Sequence, residues 1–491
     1  MARVVVVGAG LGGLAAAARL ADLGHGVTVL EQAASVGGTV GTYARDGYRF
    51  DTGPTSFTLP AVFHDLFRTT GRPLEREIDL APVDPSCRYR FADGVEVDLP
   101  NASRAGAIRA LDEALGPGAG AQWHAILQRG ERTWRAVRGP VLDSPPSARD
   151  LIRIATSPAT LRAVGVGLPL RKAAARHRTD PRLRAMLAHY AADAGADPRR
   201  STFPLLPYVE HTFGTWHVRG GVHRLAEAIR DRAVARGAAV RTGVEVDHVL
   251  SSGGRTSGVR LAGDGADVAA DVVVADVDAS HLYRDLVAPH RRRPRSDHTG
   301  GWPSVFTMLL ALHGRTPGLP HRTVLFPADL DAEFDSLFGT TRGPVDDPTV
   351  YVSAPDDPGM RPDQDSEAWT VHVRAPPHGV DTPGAVDWTP NGIADTYADQ
   401  VLAVLAARGL EVRDRVAWRV VRTPRDVFAD TRWPGGAIGP SVTDARSVLR
   451  RPANGSPVPG LFLVGASTRP GAGLPFVAWS AHTVADLVGR A

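Results

Sequence analysis

The chain opens on an unbroken β-branched run, Val4-Val5-Val6-Val7, of the length of a buried strand. The glycine-rich segment Gly8-Ala9-Gly10-Leu11-Gly12-Gly13 follows at once, and an alanine-rich apolar stretch over 14–23 predicts a helix closed near Gly24. A second strand is predicted over 27–30, ending in Glu31. From 104 to 200 the strand signal fades. Helical spacing appears at 105–115, 122–137, 148–155 and 182–192, broken by Pro140, Pro145, Pro146, Pro158 and Pro169. This predicts a helical insertion. After Gly220-Gly221 come a predicted helix over 222–235, a strand over 239–241, and further strands over 244–250, 256–261 and 268–275. A second excursion, 281–420, mixes strands at 306–312, 349–353 and 369–374 with a helix around 394–408. The chain ends on a strand and glycine at 460–465 and a helix over 475–488.

A length of 491 residues exceeds what one hydrophobic core sustains, so two or three packed units are expected. Hydrophobic residues at 43% and charged residues at 22% are ordinary globular usage and exclude a disordered or fibrous chain. A single cysteine, Cys87, excludes an intrachain disulfide and a cysteine-ligated zinc or iron–sulfur site; no metal site is expected. With 56 basic against 53 acidic residues, the charge is too balanced for a nucleic-acid binder. The start lacks the pattern of a secretory signal, and no window is apolar enough to span a bilayer. A cytoplasmic protein is the expectation.

Strand, glycine turn, helix, strand and acid stand in the order that a βαβ dinucleotide site requires. Gly8 permits the tight turn, Gly10 lets backbone approach a pyrophosphate, and Gly13 lets helix and sheet pack closely. The helix start offers unpaired N–H groups and a partial positive charge to phosphate. Glu31, eighteen residues after Gly13, suits a ribose 2′-OH and would repel a 2′-phosphate. Gly37-Gly38 and Gly47-Tyr48-Arg49-Phe50-Asp51-Thr52-Gly53-Pro54 follow, and no second such glycine motif occurs downstream. One site with this extension favours FAD, its electrons leaving to something other than NAD.

Taken together, the two ends of the chain resemble the bacterial phytoene desaturases, flavin-dependent carotenoid dehydrogenases within the wider amine-oxidase-like group. The resemblance covers nearly the whole length. It rests on 7–14 with Glu31, on Gly37-Gly38, on 47–55 and on Gly214-Thr215-Trp216-His217-Val218-Arg219-Gly220-Gly221. Its most specific part is Arg451-Pro452-Ala453-Asn454 with the glycine-rich run 460–475. The chain departs from the family pattern at Thr39, where Arg is usual, at Arg469, where His is usual, and at Phe476, where Gly is common.

The resemblance implies an α/β fold. A Rossmann-like FAD-binding domain of the amine-oxidase type would be built from 1–84, 212–285 and 425–491. An inserted α+β substrate domain with a helical, membrane-facing part would take 85–211 and 286–424. FAD would be held by Gly8, Ala9, Gly10, Gly12, Gly13 and Leu14; by Glu31, Gln32, Gly38 and Thr39; by Gly53, Pro54, Thr55 and Val246. Its flavin end would lie against Gly465, Ala466, Gly473, Leu474, Pro475 and Phe476.

The implied activity is desaturation of an acyclic carotenoid such as phytoene, or of an apocarotenoid, with hydride passing to flavin N5, loss of the neighbouring proton, and quinone or oxygen as electron acceptor. A redox-neutral carotenoid isomerase, another FAD oxidase of the same fold acting on an amine or tetrapyrrole, and a prenyl-protein escort without flavin chemistry remain alternatives. No triad is expected, because the flavin carries the difficult step. Glu210, His211 and His217 are candidate polar groups, and His64 reads as packed. A hydrophobic isoprenoid substrate must come from lipid, so peripheral contact with a membrane surface is expected. Residues 149–200, with eleven Lys/Arg against four Asp/Glu and the apolar Leu161, Val164, Val166, Leu168 and Leu170, fit that role. Arg291-Arg292-Arg293-Pro294-Arg295 is a second basic cluster, read as an exposed loop.

Overall fold

The run of valines at the amino terminus is buried because it becomes the middle strand of a parallel sheet. The computed structural model describes residues 1–139, 156, 179–201, 205–263, 265–288, 302–340, 342–379, 384–437 and 451–491. Strand Arg3–Val7 pairs in parallel with Gly26–Glu31 on one side and Val272–Ala275 on the other. Ala239–Thr242 and Leu461–Leu463 complete the five-stranded sheet at its two edges. Alternation then sorts the side chains. Val4 and Val6 face one cluster with the first helix, Leu11–Asp22, whereas Val5 and Val7 face another. Ala15, Ala16, Ala17 and Ala18 are all fully buried, which lets the first helix pack closely against the helix His223–Ala235 and the last helix, Leu474–Val488.

The opposite face of this sheet carries the antiparallel strands Val246–Ser252, Arg255–Leu261 and Asp267–Ala269, joined at the first turn by Gly253 and Gly254, both with positive φ. The apolar run 268–275 is thus not one strand, as its pattern predicts, but two in different sheets. Asp271 marks the break: its carboxylate accepts the backbone amide of Arg3 at 2.8 Å and pairs with the Arg3 guanidinium at 3.0 Å. A charge held where two inner strands begin interrupts the run that hydropathy alone reads as continuous.

A second, seven-stranded sheet runs in the order 416–422, 304–313, 366–375, 350–353, 322–325, 87–90 and 96–99. Its longest strands, Ser304–His313 and Ser366–Ala375, pair antiparallel along their full length. Phe306, Met308, Leu310, Trp369, Val371 and Val373 pack on one face against Tyr397, Val401 and Leu405 of the helix Ile393–Ala407. Tyr48 and Phe50, from the hairpin Thr42–Arg45 and Tyr48–Asp51, meet Leu309 and Ala311 on the other face. Helices Arg104–Leu115, Ala119–Val137 and Pro181–Asp193 follow the helical spacing of the sequence to within a turn.

Candidate functional site

The first glycine turn lies at the carboxyl edge of the five-stranded sheet, where open α/β sheets take their ligands. Gly8 turns the chain with φ +95°, its amide donating to the Leu30 carbonyl at 2.8 Å. A Cβ on Gly13 would lie 2.2 Å from the Gly8 carbonyl oxygen, so only glycine brings helix and turn this close. Gly10 caps the helix without a side chain, and no acidic residue stands in the first turn. The helix's own residues thus leave its first amides uncapped, which favours an anion there. The amide of Gly37 donates to the Ala9 carbonyl at 2.8 Å, and a Cβ on Gly38 would lie 3.2 Å from Gly10 Cα. The second glycine pair thus packs onto the first turn. A Cβ on Gly53 would lie 1.9 Å from the carbonyl oxygen of Thr39, which ties Pro54 and Thr55 to the same wall. Glu31, 8% exposed, accepts the amides of Ala9 at 2.6 Å and Ala33 at 2.8 Å. Its orientation is therefore set by the turn beside it.

The second glycine turn belongs to the other end of the chain, and the sheet order brings it alongside. A Cβ on Gly12 would lie 3.1 Å from the amide nitrogen of Gly465, which itself donates to Ser480 Oγ at 3.0 Å. Gly465-Ala466 leads into a loop held from behind by the segment 451–454. Arg451 Nη1 donates to the Pro470 carbonyl at 3.0 Å, and Asn454 Nδ2 donates to the carbonyls of Leu463 at 3.1 Å and Arg469 at 3.0 Å. Thr468 Oγ1 donates to the Pro452 carbonyl at 2.8 Å. These bonds explain why Arg-Pro-Ala-Asn and the distant glycine run occur together. The last helix then starts with Gly473 as its cap, Leu474 buried and Pro475 in the first turn. Phe476 packs against the cluster of Leu59, Trp134, Leu205, Tyr208 and Val209. Val246 is 7% exposed at the start of its strand, two residues after Val244, whose amide donates to the Glu31 carbonyl at 2.8 Å. Gln32 is exposed, its amide donating to the Asp430 carbonyl at 3.4 Å. Leu14 is fully buried in the helix core.

One residue at this site is absent from the sequence-based set. Asp276 follows the third core strand directly, and its Oδ2 accepts the amide of Gly13 at 2.7 Å. Burial pushes its carboxyl up to about 7, against the pull of the Gly13 amide and with a contribution from Glu31. A polar residue immediately beyond the strand run 272–275, on the ligand edge of the sheet, was the available signal. The helix start with no side-chain cap of its own, the glycine cradle bordered by the Asp276 carboxylate, and the adjoining second turn fit the diphosphate and the flavin end of FAD.

The other candidate polar groups are held in bonds between segments. Glu210 accepts from Arg322 Nη1 at 2.9 Å and from Thr215 Oγ1 at 3.2 Å. His211 Nε2 accepts the Trp123 indole N–H at 3.2 Å, and burial lowers its pKa. His64 pairs with Glu75 at 3.1 Å at the surface. His217 Nε2 lies 2.9 Å from Asp357 Oδ2, a buried contact joining Thr215–Val218 to the turn Pro358–Met360. Burial pushes the Asp357 carboxyl up, but His217 and the amides of Gly220 and Gly359 pull it down to about 2. A depressed carboxylate adds stability above its ordinary pKa of 3.8 and loses it as pH falls towards 2. Asp357→Asn is therefore expected to cost roughly 1–2 kcal/mol at neutral pH. It should also flatten the pH dependence of urea melts across that acid window. The segments 140–155 and 157–178, with most of the basic apolar stretch, and the cluster 291–295 lie outside the described residues.

Residues 11–488 match the model of the flavin containing amine oxidoreductase family. The chain is 32% identical to a neurosporene-forming phytoene desaturase of Cereibacter sphaeroides, over 99% of this chain and 94% of that one. It is 33% identical to a zeta-carotene-forming phytoene desaturase of Myxococcus xanthus, over 99% and 93%. An oxidoreductase from Methanosarcina mazei shares the fold, with a TM-score of 0.63 at 18% identity, covering 99% of this chain and all of that one. With both glycine turns present and adjoining, the chain belongs to the flavin-containing amine oxidoreductases and, within them, to the bacterial phytoene desaturase family of FAD-dependent enzymes.

Proposed function

We propose that the protein desaturates an acyclic carotenoid, phytoene or an apocarotenoid, with FAD as the hydride acceptor. The observation that carries this reading is the junction of the two termini, where Gly12 and Gly465 leave no room for a side chain between them. Bound FAD supplies the hydride-accepting N5, and an allylic C–H bond needs no strong acid to assist it. The chain's own part is to bind and orient. The first glycine turn, with Glu31 and Gly38, holds the adenosine diphosphate end, and Gly465 to Phe476 hold the flavin end. Segments 1–84, 212–285 and 425–491 form the cofactor unit in this reading, and the seven-stranded sheet with its helices forms the substrate unit.

The substrate is a hydrophobic isoprenoid, so each buried methylene adds about 0.8 kcal/mol to its preference for an apolar site over water. Such a molecule reaches the enzyme from lipid. Among the described residues no helix is long and apolar enough to cross a membrane. Peripheral contact, with quinone or oxygen taking the electrons, is the arrangement we infer. The test is to incubate the FAD-loaded protein with phytoene, and with its shorter analogue, in liposomes while recording visible absorption. A longer polyene chromophore is expected. Its absence with every acyclic substrate would defeat the reading, and product at unchanged hydrogen count would favour the isomerase.

A further inference from the structure

A single carboxylate stands where three glycines of the cofactor cradle converge. A Cβ on Gly10 would lie 2.6 Å from Asp276 Oδ2, and a Cβ on Gly12 or on Gly465 would lie 2.8 or 2.5 Å from Oδ1. The Gly13 amide occupies Oδ2. Oδ1 is left facing the gap between the first and last glycine turns. Asp276 is half-buried, with its carboxylate close against the glycines of both turns. Gly10, Gly12 and Gly13 at the start of the first helix and Gly465, just after the last strand, approach it. Among the described residues, the charged group that faces it is Glu31, from the end of the second strand.

An ionised carboxylate here would compete with a diphosphate for one helix dipole, and the two anions would repel each other at short range in a site shielded from water. A neutral acid removes the conflict and adds a donor. We propose that Asp276 binds FAD as a carboxylic acid, Oδ2 accepting the Gly13 amide while Oδ1 carries a proton that it donates to the cofactor's diphosphate. The inference rests on FAD being the cofactor. It assigns this residue a binding role outside the glycine motif.

The energetics favour that protonation state. Burial already holds the free acid near 7, and an approaching diphosphate raises it further. Above that pH, binding takes up a proton. Affinity for FAD should then fall by up to about tenfold per pH unit, and level off below about pH 6, where the acid is already protonated. The diphosphate of FAD is a diester with no proton to lose near neutrality, so such a slope belongs to the protein.

The experiment is titration of apoprotein with FAD, followed by flavin fluorescence, at about pH 6 and about pH 8.5, with an expected loss of affinity of tenfold or more. Calorimetry in two buffers of different ionisation enthalpy should record close to one proton taken up per FAD at the higher pH. Asp276→Asn keeps a donor and an acceptor without the charge. It should bind FAD equally at both pH values, with no proton uptake. Equal wild-type affinity at both pH values overturns the proposal. So does a slope that persists in Asp276→Asn, or loss of FAD from an Asp276→Asn protein whose circular dichroism is native. Should that variant not fold, the wild-type proton count alone decides. Wild-type protein that binds no FAD at either pH would instead overturn the cofactor assignment.

Discussion

Gly13→Ala is expected to empty the flavin site and to cost about 1–3 kcal/mol of stability, the range for overpacking a close-packed interior. The added methyl would stand 2.2 Å from the Gly8 carbonyl oxygen, a backbone atom held by its place in the turn. Asp276 Cβ, at 3.1 Å, blocks escape on the second side. The first helix must therefore move away from the sheet, taking its amino end from the diphosphate. A shift of that kind loses the anion contact, which acts only within the first turn. Gly26→Ala is the control. Its Cβ would meet Met1 Cε at 3.7 Å, an ordinary contact, so flavin content and melting temperature should stay at wild-type values. Visible flavin absorbance per mole of purified protein, with thermal melts, checks both. A fully yellow Gly13→Ala protein would contradict the packing argument.

Arg322→Ala is expected to destabilise the protein by about 3–5 kcal/mol, because it leaves a buried carboxylate without its cation. Side chains of Arg322 and Glu210 are 21% and 13% exposed. Burial pushes the Glu210 carboxyl up, and the Arg322 guanidinium with the neighbouring His211 holds it below the ordinary carboxylate range. Arg322 also donates to the Ser86 carbonyl at 3.1 Å and to Thr215 Oγ1 at 3.3 Å. One side chain thus ties the second sheet to helix Leu205–Phe213 and to the strand that follows it. Replacing both members, as Arg322→Met with Glu210→Leu, removes the stranded charge and should recover most of the loss. Urea melts of Arg322→Met, of Glu210→Leu and of the double variant give the coupling. Glu210→Leu alone should be about as costly as Arg322→Ala. Near-additive losses would show that the pair does not act as a unit.

The glycine turns were legible because each depends on residue type at short range. Gly8 needs a positive φ, and Gly13 needs a missing side chain beside Gly8, five residues away. Valine runs at 4–7 and 272–275 likewise announce buried parallel strands without reference to any partner. The same hydropathy misread 268–275 as one strand, because Asp271 serves Arg3 of the neighbouring strand. Roles of the polar candidates were not legible. His217 is fixed by Asp357, 140 positions later, and Glu210 by Arg322, 112 positions later. The strand Arg322–Leu325 and the hairpin Thr42–Arg45 with Tyr48–Asp51 are short and carry charges, so their pattern is too weak to stand out.

From residue order alone came the local chemistry: a turn for a diphosphate, an acid after the second strand, a glycine run before the last helix, and the family they belong to. Local backbone sterics and side-chain periodicity determine these, and neither needs a distant neighbour. Folding decided the rest. It set Gly465 against Gly12, threaded Arg451 behind the final loop, and placed Asp276 among glycines more than 260 positions before it and nearly 190 after it. Parallel strand order and the desolvation of a charged group belong to the assembled molecule, because both depend on which surfaces exclude water together.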